Sequence, residues 1–273
     1  IDDVVKNKDP SVSREVFIEN APKNNGITEK MIDNEFKKYS KKMDDLADQL
    51  VDYTSLEPRV WLDTSVIDAY IRLLREEGYV PQSYHIFPGE FGNAIYNQDM
   101  NIIDYFLKTL KVGKNDYILL PYRRQNNHWL LVWVIKSGNQ YVIHLYDPAR
   151  RDHPKAVDED FRKIKKVLTK LNINSNNIKT IIENGPRQIN GYDCGVFVIE
   201  WLRHMFMGGK FNFTQSSINK QRARQRIKRE LQNQQLEPLD NTQQASTPSF
   251  PTKKITKAIN TINQYVSNQK PQN

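Results

Sequence analysis

An α+β fold, with a mixed β-sheet packed between helices, is what this sequence predicts, on three observations. Apolar residues recur at helical spacing in several separate stretches. Between them the runs 116–122, 128–136 and 140–147 are short, apolar and rich in Val, Ile and aromatics, as buried strands are. Finally, Cys194–Met207 is apolar on nearly all sides, the pattern of a helix inside a domain. A chain of 273 residues with 38% hydrophobic content holds one sizeable domain plus extensions.

Taken in order, Thr28 is an N-cap for a helix whose stripe is Ile32, Phe36, Tyr39, Met43, Leu46 and Leu50, an N-terminal helical extension spanning 1–54. Asp63 or Thr64 caps a second helix with the stripe Ile67, Tyr70, Ile71 and Leu74, ending at Gly78. A short extended piece at 84–87 precedes a helix at 100–110, then come the strands. A helix at 161–171, a strand at 178–183 and the buried helix from Cys194 complete a domain spanning 55–231. From about Gln232 the composition shifts to Gln, Asn, Pro, Ser and Thr, so 232–273 reads as a polar linker. Within it Ile255, Ala258, Ile259, Ile262 and Val266 share one helical face, the pattern of a short amphipathic helix.

The sequence begins without Met, a basic-then-apolar leader or an apolar run near the ~20 residues of a membrane span, so a soluble piece of a longer protein is expected, a monomer with no membrane partner. A single Cys forms no internal disulfide, and His85, His128, His144, His153 and His204 lack zinc-site spacing. No metal and no cofactor are therefore expected. The net charge of +8 is partly local, with Lys220, Arg222, Arg224, Arg226, Lys228 and Arg229 set against Glu230. Such a strip reads as a solvated helix face rather than a nucleic-acid surface. A binding module using that strip is the rival, distinguished by salt-sensitive binding of nucleic acid.

His128 opens one apolar strand and Asp147 closes the next, with Ser137-Gly138-Asn139 as the turn. If Ser137-Gly138 form the loop, His128 lies directly opposite Asp147; if Gly138-Asn139 do, the two are diagonal neighbours on the same face, roughly 7–8 Å apart. Either register lets the carboxylate orient the imidazole. His144, three residues before Asp147, falls on the opposite face.

Around the thiol the chain reads Gln188-Ile189-Asn190-Gly191-Tyr192-Asp193-Cys194-Gly195. A Cys in the first helical turn faces unpaired amides and the positive end of the helix dipole, which favours the thiolate, and Asp193 is placed to cap that helix. With His128 as proton acceptor, Cys194 becomes a nucleophile toward a carbonyl carbon, forming a thioester that water hydrolyses. Its own backbone amide and the Gln188 side-chain amide are the candidate oxyanion donors.

These residues resemble the ubiquitin-like-protein-specific protease family, the SUMO (sentrin) protease clan, clan CE, which also includes bacterial deubiquitinase effectors. The blocks that carry the resemblance are Trp61-Leu62-Asp63 through Ile67, His128-Trp129 followed by Asp147, and Gln188-x-Asn190-x-x-Asp193-Cys194-Gly195. The resemblance implies a papain-like cysteine protease fold, a His128, Asp147 and Cys194 triad, and Gln188 as oxyanion donor. It implies that Trp61 and Trp129 roof a tunnel admitting only a Gly-Gly tail, which fits physically because two aromatic faces clamp a backbone only if no Cβ intrudes. Asp63, Asn190 and Gly195 join them as expected substrate-binding positions. Family members acting on SUMO commonly carry an acid two positions after the Leu of the Trp-Leu block, where this chain has Thr64. That departure removes the usual modifier-facing salt bridge, and the long flanks and biased composition resemble a bacterial effector fragment. A deubiquitinase acting in a reducing intracellular compartment, the eukaryotic or host cytoplasm or nucleus, is therefore the first expectation. A SUMO or NEDD8 protease is the second, and a same-clan acetyltransferase effector is the alternative chemistry.

Overall fold

The apolar runs pair as the middle of a five-stranded sheet of order β1-β2-β3-β4-β5. The structure, a computed structural model, describes residues 51–109, 117–125, 127–137, 140–149, 154–171, 173–220 and 222–239. Its strands are β1 (Tyr84–Ile86), β2 (Tyr117–Arg124), β3 (His128–Ser137), β4 (Gln140–Tyr146) and β5 (Ile178–Ile182). The outer pairs are parallel and the inner two antiparallel, so the sheet is mixed, as the sequence predicts. Ser137 pairs with Gln140, which selects the second of the two registers and makes His128 and Asp147 diagonal neighbours.

Helices cover both faces. They are α1 (Thr64–Glu76), α2 (Gly89–Asn97), α3 (Met100–Thr109), α4 (Pro154–Lys170), α5 (Cys194–Met207), α6 (Gln215–Lys220) and α7 (Ala223–Asn233). Strand alternation sorts the core in two. Leu119, Leu131, Trp133 and Tyr146 meet α1, α5 and α7 on one face, while Leu120, Leu130, Val132, Val134, Ile143 and Leu145 meet α2, α3 and α4 on the other. Asp63 caps α1 through Ser65, as expected from its side chain. Helix α4 starts earlier than the expected residue 161, because its charged first turns carry only Val157 before the Phe161, Ile164, Val167 and Leu168 face begins.

Helix α2 was not anticipated in the sequence, since its two glycines and Pro88 imitate a loop. β1 pairs only with Tyr117, Ile118 and Leu119, so Pro121 sits where the neighbouring strand has stopped and needs no amide proton on that side. There α2 passes so close to β2 that a Cβ on Gly92 would lie 2.0 Å from the Pro121 carbonyl oxygen.

Every residue of α5 from Cys194 to Phe206 is buried, charged ones included. Their partners come from the basic strip, which corrects its reading as a solvated face at Arg226, whereas Arg222 and Arg229 are exposed as that reading has them. Arg226 is buried and pairs with Glu200, and Glu230 accepts from Arg203 Nη1 at 2.5 Å and from Tyr70 Oη at 2.8 Å. Ile227 and Leu231 of α7 are buried beside them. Removing one member of such a network leaves a buried charge, at a cost of about 3–5 kcal/mol. Packing also runs past residue 231: Leu236 and Leu239 are buried, and Arg203 donates to the Pro238 carbonyl at 3.2 Å. The helices expected within 28–50 and 252–268 lie outside the described residues.

The Gly92 approach gives a stability test. Gly92→Ala drives a Cβ into the backbone of β2, and urea denaturation is expected to show a loss of about 1–3 kcal/mol.

Candidate active site

His128 begins β3 and Asp147 follows β4, and the diagonal register brings His128 Nε2 to 2.7 Å from Asp147 Oδ1. Both are buried. With Nε2 committed to Asp147, the ring's other nitrogen is the one left to exchange a proton with the Cys194 thiol. Burial pulls the imidazole pKa down, but the hydrogen bonds to Asp147 and Cys194 and the charges of both lift it further, from 6.5 to about 9. Cys194, the first residue of α5, is 1% exposed, with Sγ 3.9 Å from the Asn127 carbonyl oxygen. First-turn amides have no intrahelical acceptor, so the Cys194 N–H is free of the helix ladder.

Asp193 occupies the N-cap position but makes no side-chain cap bond, against expectation. Its carboxylate is taken by three other side chains: Oδ2 accepts from Asn190 Nδ2 at 2.7 Å and Gln215 Nε2 at 2.8 Å, and Oδ1 from Arg224 Nη2 at 2.7 Å. Asn190 Oδ1 accepts from the amides of Tyr192 and Asp193, closing the turn before the cysteine. Arg224 also donates to the Tyr192 carbonyl at 3.0 Å and to the Ser55 carbonyl at 3.0 Å. Asn190 therefore shapes the loop with the polar atoms expected to bind substrate.

A cleft of about 250 Å³ opens beside the imidazole, lined by Trp61, Asn127, His128, Ala149, Gln188, Ile189, Asn190 and Gly191. Trp61 is 50% exposed, and its Nε1 donates to the Gly191 carbonyl at 2.7 Å, tying the rim across the cleft. Ile189 beside it is 86% exposed. Gln188 lines the cleft, but its Nε2 donates to the Asn190 carbonyl at 2.6 Å, while its Oε1 is buried with no hydrogen-bond partner among the described residues.

The expected pair of roofing tryptophans is split. Trp129 is 1% exposed, and its Nε1 donates to the Leu62 carbonyl at 2.8 Å, so it has no face turned to the cleft. Leu62 in turn lies on Gly195, where a Cβ would sit 2.8 Å from the Leu62 Cβ. Trp129 and Gly195 thus lock the Trp61-Leu62 segment onto the first turn of α5 from below, by packing. Asp63 spends its Oδ1 on the Ser65 amide and hydroxyl, at 2.9 and 2.6 Å, and lies outside the cleft lining. His144 is on the other face, as alternation requires, with Nδ1 2.5 Å from Glu183 Oε1 and its ring stacked on Trp133.

The supports of this site were missed in the sequence. Arg124 donates to Asp147, and Gln215 and Arg224 hold Asp193. Only Arg124 left a sequence signal: it stands four residues before His128, across a tight turn that makes the two direct register partners.

A helix-borne thiol, a strand-borne imidazole and a carboxylate from the next strand define a cysteine-nucleophile site in a papain-like fold. Residues 60–242 match the Ulp1 protease family, C-terminal catalytic domain, and the chain belongs to that family. Sentrin-specific protease 5 of Mus musculus is 28% identical over 204 residues, covering 72% of this chain and 25% of that protein. Ubiquitin-like-specific protease 1A of Arabidopsis thaliana is 28% identical over 190 residues, covering 62% of this chain and 36% of that protein. The chain thus spans between a quarter and about a third of the length of these relatives. The C-terminal Ulp1 protease domain solved in complex with Smt3, the yeast ortholog of SUMO, shares the fold with a TM-score of 0.56 at 20% identity, covering 67% of this chain and 81% of that one. The Ulp1-like SUMO protease catalytic domain of Chaetomium thermophilum does so with a TM-score of 0.51 at 23% identity, covering 67% and 76%.

A folded pKa above the ordinary value means that the His128 interactions stabilise the fold fully below pH 6.5 and less as pH rises through about 9. Histidine NMR is expected to show the His128 ring still protonated at pH 7.5, and Asp147→Asn is expected to bring its titration down toward neutrality.

Proposed function

We propose that this chain is a cysteine isopeptidase that hydrolyses the bond after the C-terminal Gly-Gly of a ubiquitin-like modifier. The observation that carries the reading is the 2.7 Å His128–Asp147 contact, with Cys194 at the head of a buried helix, its Sγ 3.9 Å from the carbonyl of the residue before His128 and its charge among the causes that raise the His128 pKa. In the proposed reaction Sγ of Cys194 attacks the carbonyl carbon of the last glycine, and the imidazolium of His128 donates its proton to the leaving lysine amine as the C–N bond breaks. Water, deprotonated by the same imidazole, then cleaves the thioester and frees the carboxylate. Asp147 holds the ring in orientation and balances its charge. The Cys194 amide supplies one oxyanion donor, and Gln188 becomes the second once its amide is released from the Asn190 carbonyl.

The cleft between Trp61 and the Gln188–Gly191 loop is the place for the modifier tail. A tail without Cβ atoms suits a passage whose rim is closed by the Trp61–Gly191 hydrogen bond. As for the modifier, the names of the curated relatives, sentrin-specific and ubiquitin-like-specific proteases, support a sentrin-type modifier ahead of the ubiquitin preferred on the Thr64 departure.

C-terminal propargylamide probes of SUMO, NEDD8 and ubiquitin test both levels of the proposal. A covalent adduct on Cys194 with the SUMO probe, absent in Cys194→Ala, is the expected result. Labelling by ubiquitin alone would restore the deubiquitinase, whereas failure of all three together with acetyl-CoA-dependent self-acetylation would replace hydrolysis by acyl transfer. Asp147→Asn is expected to lower kcat by about 10⁴-fold. Trp61→Ala, which opens the rim, is expected to weaken turnover of the whole modifier and of its tail peptide alike, measured as kcat/KM on each.

A further inference from the structure

The carboxylate of Asp147 is gripped from behind. Oδ1 accepts from the Ala149 amide at 3.0 Å and faces the imidazole, while Oδ2 accepts from Arg124 Nη1 at 3.0 Å. Arg124 is itself buried and turns its other edge to Asp160 of α4, with Nε donating to Oδ2 at 2.8 Å and Nη2 to the same oxygen. Tyr122 fixes that second carboxylate by donating to its Oδ1 at 3.1 Å. The placement follows from the strands. Tyr122 and Arg124 alternate onto the α4 face of β2, and Arg124 is the direct register partner of His128, so base and guanidinium leave the sheet side by side.

A carboxylate rotates about a broad torsion, and a single hydrogen bond to a ring fixes neither oxygen. A planar guanidinium anchored on a second carboxylate does fix one, because its donors have a set mutual geometry. Two buried carboxylates and an imidazolium also need a second positive charge to be neutral together, and Arg124 supplies it; burial works against its own charge, but Asp160 and Asp147 raise its pKa.

We propose that Arg124 is a positioning residue for the cysteine site, its guanidinium anchored on Asp160 so that Asp147 presents Oδ1 to His128 in a fixed orientation. The inference rests on the triad reading of the preceding section. Arg124 touches neither thiol nor cleft, so its removal should act on the chemical step and not on modifier binding.

The test uses SUMO and ubiquitin carrying C-terminal aminomethylcoumarin, with Arg124→Met, Arg124→Lys and the paired Arg124→Met/Asp160→Asn, which leaves no uncompensated Asp160 carboxylate. On the substrate that the wild type turns over, the paired variant is expected to lose about 100-fold in kcat, the scale of a small misplacement of a reacting group, with KM within twofold and a melting temperature near wild type. Arg124→Lys, a single point charge, is expected to recover only part of the loss, because lysine does not span both carboxylates. The downfield proton resonance of the His128–Asp147 hydrogen bond is expected in the wild type and shifted or broadened in the paired variant. A paired variant with wild-type kcat and an unchanged resonance overturns the proposal, as does a loss explained by the unfolded fraction alone. If Asp147→Asn is as active as the wild type, the triad reading itself fails and this inference falls with it, an outcome the Asp147 control separates from the others.

Discussion

The pairing of β3 with β4 is the constraint on which the site depends. His128 and Asp147 are 19 positions apart, and neither is held by local chain geometry; the β3–β4 pairing, set by the Ser137–Gln140 register, puts their side chains on one face within hydrogen-bond distance. A slip of a single residue would turn one of them to the opposite face of the sheet. That register is specified in turn by burial on both faces, where Leu130, Val132 and Val134 alternate with Leu131 and Trp133 and any shift exchanges two differently shaped cores.

The thiol reaches the same place from the other layer. Cys194 belongs to the core beneath α5, whereas His128 emerges on the side of α4, so the reacting pair meets only at the sheet end, where the strands no longer separate the layers. Two clamps fix the meeting point. The Trp129, Leu62 and Gly195 stack presses the α5 head toward β3, and Arg224 draws the preceding loop toward the chain segment at Ser55. Most of the polar atoms around the nucleophile serve this placement, which leaves few for direct contact with a ligand.

What was legible in the sequence was whatever obeys a period or a short spacing. The strands, α1 and α5 showed as apolar patterns, and the turn between His128 and Asp147 narrowed their geometry to two arrangements. What stayed hidden is contact between distant segments. Trp61 and Trp129 look alike as residues beside a cleft, yet one is half exposed and the other sealed by Leu62, a difference set by a strand and a loop 67 residues apart. The charges of α7 counted as surface because composition carries no information about Glu200 and Asp193, which neutralise Arg226 and Arg224 inside the domain. Helix α2 escaped because the glycine that lets it approach β2 is the residue type that elsewhere breaks a helix.

The solitary thiol has a redox consequence. Sulfur at the head of α5 that is oxidised to a sulfenic acid finds no second cysteine within these 273 residues, so no disulfide among them traps it before the irreversible sulfinic stage. Recovery therefore falls to a thiol outside these residues, and at 1% exposure the sulfur admits a slender reductant such as glutathione more readily than the bulk of a second folded protein.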